Sequence, residues 1–63
     1  MNIIKELAQI KAEGIADGIE VDDSMAYDMA ESLMMDNEFV AAAKRQWPGK
    51  SNQILREIVA GYL

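Results

Sequence analysis

The chain contains neither cysteine nor histidine, and in 63 residues those two absences constrain the fold more than any motif present. A chain this short buries only about 60% of the surface its unfolded form exposes. Small domains commonly reinforce so thin a core with disulfides, a metal or a partner chain. Without cysteine there is no disulfide and no thiolate metal site. Without histidine, the commonest transition-metal ligand and the usual general base are both missing. Helix packing and association with another chain remain. We therefore expect no cofactor, no metal and a tendency to form homo-oligomers, a homodimer first among them.

The hydrophobic fraction of 51% is too high for a disordered acidic tail. No apolar run is long enough to span a membrane. Lys5, Glu6, Lys11 and Glu13 interrupt the start of the chain, which does not read as a secretory signal. The expectation is one soluble cytoplasmic domain spanning residues 1–63.

Apolar spacing predicts an all-α fold, a small bundle of three to four short amphipathic helices with short connections. The first runs from about Ile3 to Ala16, capped by Asn2, with Ile3, Ile4, Leu7, Ile10 and Ile15 on its buried face. Gly14 and Gly18 end it near Asp17. Asp22, Asp23 or Ser24 then caps a helix from about Met25 to Met35, with Met25, Ala26, Met29, Ala30 and Leu33 on one face. "DNE" at Asp36–Glu38 starts a third helix, with Phe39, Val40, Ala43 and Trp47 inward, although one long kinked helix fits the same residues. "WPG" ends it, because Pro48 disfavours helical geometry at Trp47 and Gly49 can take a positive φ. Ser51 or Asn52 caps the last helix, whose buried stripe would be Ile54, Leu55, Ile58, Val59 and Tyr62. On this reading Trp47 packs around Ile54, Leu55 and Ile58 as the last two helices fold back on each other.

Catalytic and ligand signatures fail on inspection. "GKS" at Gly49–Ser51 resembles the end of a phosphate-binding loop. That loop needs a glycine where Lys44 stands, and a strand leading into it. Asp17, Glu20, Asp22 and Asp23 suggest a calcium loop, but Ile19 and Val21 would fall on ligand positions. Ser24, Ser32 and Ser51 have no evident base. The chain does not read as an enzyme.

Two features rise above this background. Met25, Met29, Met34 and Met35 crowd one helix, and flexible thioethers suit surfaces that repack around a partner. Met34 and Met35 cannot both share the face of Leu33, so at least one should be exposed or covered by another chain. With Tyr27, Asp28 and Glu31, these two make the candidate partner interface. The second feature is charge. Residues 1–43 hold ten acids against Lys5 and Lys11, a net of −8, whereas residues 44–63 carry a net of +3. Lys44, Arg45, Lys50 and Arg56 form the candidate basic patch.

The stretch "GKSNQILREIVAGYL" (Gly49–Leu63) resembles the second helix of ribbon-helix-helix DNA-binding proteins in its turn and its apolar spacing. The resemblance covers a quarter of the chain and implies a helical hairpin at its end, within a dimer. That family reads DNA through a basic strand, and "DMAESLMM" upstream is acidic and helical. No DNA-contacting residue is carried over.

The reading that follows is a small acidic, non-enzymatic module that binds another protein as inhibitor or adaptor. Phage and mobile-element accessory proteins offer the analogy. An acidic mimic of nucleic acid, using Asp17, Glu20, Asp22, Asp23, Asp28 and Glu31, is the first alternative. A small dimeric antitoxin-like DNA binder is the second, and four cations on a net −5 chain make a poor footprint for it.

Overall fold

Each helix of the protein begins at a side chain that caps it. In the computed structural model, which describes all 63 residues, Asn2 opens α1 (Ile3–Ala16) and Asp22 opens α2 (Asp23–Leu33). Asp36 opens α3 (Asn37–Gln46) and Ser51 opens α4 (Asn52–Tyr62). The Asp22 carboxylate accepts from the Met25 N–H at 2.8 Å, and Asp36 accepts from Glu38 at 2.8 Å and Phe39 at 3.4 Å. The Ser51 hydroxyl accepts from Ile54 at 3.3 Å. Each such cap contributes on the order of 1 kcal/mol by pairing an otherwise orphaned N–H. The element order is therefore all-α, with no strand. No helix is long and apolar enough to cross a membrane.

Capping also settles the junction between α2 and α3. Asp36 sits in extended geometry (φ −87°, ψ 120°), so the two are separate helices and not one kinked rod. The second helix starts two residues earlier than its apolar spacing suggests, because Asp22 is the cap and Asp23 joins the first turn. It ends at Leu33, leaving Met34 as its cap and Met35 in a tight turn whose N–H donates to the Ser32 carbonyl.

The core consists of Ile3 and Leu7 from α1, Ala30 from α2, Phe39, Ala42 and Ala43 from α3, and Leu55 and Val59 from α4. Three of these eight are alanines, so the helices close on one another through short side chains. The most extensive contact joins α2 to α4, with α1 resting on α3 and α4. Ala26 and Ala30, one turn apart, are both buried along the second helix. Leu55 and Val59 supply the larger residues opposite.

Four expectations about burial need correction. Ile15, assigned to the buried face of α1, is 67% exposed. At 14 residues this helix is about 21 Å long, and its buried residues, Ile3 and Leu7, lie in its first half. Met25 is exposed because α2 meets the rest of the bundle through Ala26 and Ala30. Ile54 and Tyr62 are exposed as well, since the buried line on α4 narrows to Leu55 and Val59. The overhang shows in the dimensions: 35 × 22 × 16 Å, with a radius of gyration of 11.2 Å against about 10.6 Å for a compact chain of this length.

The "WPG" corner forms largely as its residues dictate. Trp47 leaves helical geometry (φ −128°, ψ 77°) after its N–H bonds the Ala43 carbonyl. Gly49 takes φ +79°, a conformation that costs a residue with a Cβ roughly 1–2 kcal/mol. The half-buried Trp47 indole packs against the core, which includes Leu55, and its aromatic neighbour is Tyr62, with ring centroids 5.8 Å apart. The last two helices do not fold into a tight hairpin, because the fourth packs chiefly on the second. Thermal or urea unfolding of three variants should rank these contributions. Leu55→Ala should lose about 2–5 kcal/mol, and Ala30→Leu about 1–3 kcal/mol through overpacking of the close seam. Trp47→Ala should lose less than Leu55→Ala, because the indole is only half-buried. The reverse order would mean that the corner, not the α2–α4 seam, carries the core.

Candidate protein-interaction surface

The most developed concavity lies where α1 ends, and one glycine builds it. Gly18 adopts φ +75° and reverses the chain. Its N–H donates to the Ile15 carbonyl at 3.0 Å, and the Ile19 N–H donates to the Gly14 carbonyl at 2.9 Å. This pair of bonds is a complete Schellman motif, which turns the residue after the glycine back over the last helical turn. That residue is Ile19. With Ile15, Val21 and Leu63 it lines an open depression of about 490 Å³, edged by Lys11 and Glu20.

Apolar surface is left bare there because nothing in the bundle reaches it. Ile15 is 67% and Ile19 is 47% exposed, whereas Val21 and Leu63 are half-buried. The connection from Asp17 to Asp22 contributes three of the six lining residues. It also carries Asp17 and Asp22, and Asp23 follows in the first turn of the next helix. Across residues 11–23 the net charge is −4. No three acids converge closely enough to hold a metal ion; at the depression itself Lys11 and Glu20 stand opposite in charge, with exposed Asp17 and Asp22 flanking the lining residues in sequence.

The residues singled out from sequence lie elsewhere. Met35 is 82% exposed at the α2–α3 turn, whereas Met34 is half-buried and packs on the core. They share a smaller depression of about 280 Å³ with Glu31, Asn52, Gln53 and Arg56. Tyr27 is half-buried, and Asp28 and Glu31 are exposed on the same helix. Arg56 lies in the α2–α4 seam, its guanidinium carbon 4.9 Å from the centre of the Tyr27 ring. Stacking of this kind is worth about 0.5–2 kcal/mol. The buried Arg56 Nε makes no hydrogen bond. Lys44, Arg45 and Lys50 are exposed around the α3–α4 corner. Arg56 is thus held by an aromatic partner that those three lack.

Sequence reading missed Ile15 and Ile19 as surface residues. The available signal was Gly18 followed at once by an isoleucine, the signature of a helix-terminating turn with an apolar residue folded back. The fold and this surface define a small all-α protein with a largely apolar depression edged by Lys11 and Glu20. Compared with known protein families, with curated proteins and with solved structures, the chain matches none.

The two neighbouring methionines provide a direct check on which surface is free. Met35→Glu should leave the unfolding midpoint nearly unchanged. Met34→Glu should lower stability by about 1–3 kcal/mol, because it forces a carboxylate against the core. Equal losses for both, measured by thermal denaturation, would contradict this assignment.

Proposed function

We propose that this protein is a small non-enzymatic interaction module that binds another protein and acts on it as inhibitor or adaptor. One observation carries the reading: Ile15 and Ile19 stand exposed around a preformed depression that the fold itself leaves uncovered. Large exposed aliphatic residues gathered in one place mark contact surfaces on small proteins. An open depression also suits a macromolecular partner better than a small molecule, which needs most of its own surface enclosed. The test is a photoreactive residue introduced at Ala16, which is exposed beside Ile15, and irradiated in the native cell. A discrete protein adduct, lost when Ile19 is also replaced by Glu, is the expected result. An adduct to nucleic acid alone, or none at all, would overturn the reading.

Self-association is a second reading, favoured by Met35, which is 82% exposed beside a separate depression. It would use that face and leave the α1 end free. The accessible surface of 4356 Å² exceeds the roughly 4,000 Å² expected of a monomer of this mass by only a small margin, so a second copy has modest surplus area to cover. Sedimentation equilibrium decides it: a dimer that Met35→Glu dissociates supports self-association, and a monomer at high concentration removes it.

A further inference from the structure

Building on the interaction reading, we infer that the depression at the end of α1 receives a basic amphipathic helix of a partner protein. The floor and the rim each specify half of that partner. Ile15, Ile19, Val21 and Leu63 form the lining's apolar part, which calls for apolar side chains spaced to enter together, as one face of a helix presents them. Glu20 at the edge is offset by Lys11, but exposed Asp17 and Asp22 flank the lining residues in the same connection and leave the surround acidic, within a segment (residues 11–23) of net charge −4. Lysine or arginine flanking the inserted face would be drawn to this rim, speeding encounter and excluding acidic partners.

A second copy of this chain is a poor occupant on the same grounds. Symmetric pairing through the depression would set one −4 segment against another, a like-charge cost that no apolar gain at the centre removes cheaply. The chain's own exposed cations, Lys44, Arg45 and Lys50, belong to the end of α3 and the turn after it, and none of them lines the depression. Using them would join copies head to tail in an open series and not a closed dimer.

The experiment titrates the full chain into three fluorescein-labelled peptides of about 18 residues, five helical turns each. The first is a leucine/lysine amphipathic helix, the second its leucine/glutamate counterpart, and the third a lysine/serine peptide of equal charge without an apolar face. Anisotropy should show the first bound at least about tenfold more tightly than either control, with affinity falling about tenfold in Ile15→Ser and Ile19→Ser. Both residues are exposed, so circular dichroism should report unchanged helicity in the variants. Equal binding of the lysine/serine peptide, or full affinity in both serine variants, overturns the inference. So does a dimer that these variants dissociate, because the occupant is then a second copy. If the peptides fail while the Ala16 adduct persists, the basic-helix assignment falls alone. If both fail, the interaction reading falls with it.

Discussion

The close approach of α2 and α4 is the constraint on which the rest of this structure depends. Ala26 and Ala30 are both buried on one line of the second helix, which lets the two backbones come together without large side chains between them. Leu55 and Val59 then fill the space from the fourth helix and are fully enclosed. The first and third helices add Ile3, Leu7, Phe39, Ala42 and Ala43 around that seam. In a chain with no disulfide, this one contact ties residues far apart in sequence. A small-to-large change on the alanine line would therefore reach every other helix.

A core centred there has a consequence for α1. Its fully buried residues, Ile3 and Leu7, lie in its first two turns, and by Ile15 the apolar pattern along it has outrun the surface available to bury it. Gly18 then ends the helix and returns Ile19 beside Ile15. Ile15 and Ile19 at this surface thus stand outside the core, while Leu63 both lines the depression and packs against the core. Exposed Ile15 and Ile19 can therefore change with little loss to the bundle. Met35 is a comparable case on a smaller scale, since the turn after Leu33 carries it out of the helix and into solvent.

Much of the fold was legible because its signals are local. Asn2, Asp22, Asp36 and Ser51 cap, Gly18 and Gly49 take positive φ, and Pro48 stops α3; each acts within one turn of chain. The depth of burial was not legible. A period of three to four residues marks a face, but it carries no information on how far a neighbouring helix extends along that face. This is why Ile15, Met25, Ile54 and Tyr62 were assigned inward and lie exposed. Sequence adjacency also suggested that α4 folds back chiefly on α3, whereas the alanine line on α2 is its main partner, although Trp47 still meets the fourth helix at Tyr62. The candidate site was missed for a related reason, since Ile19 and Val21 were weighed as misfits in a calcium loop and not as residues that the Gly18 turn folds back over α1.

Residue-resolved amide hydrogen exchange tests this division between seam and overhang most directly. Amides in the middle of α2 and α4 should exchange only by global opening, while those of Gly14, Ile15 and Ala16 should exchange through local fraying, orders of magnitude faster. Uniform protection along α1 equal to that of the fourth helix would contradict the account, because the end that carries Ile15 would then belong to the core.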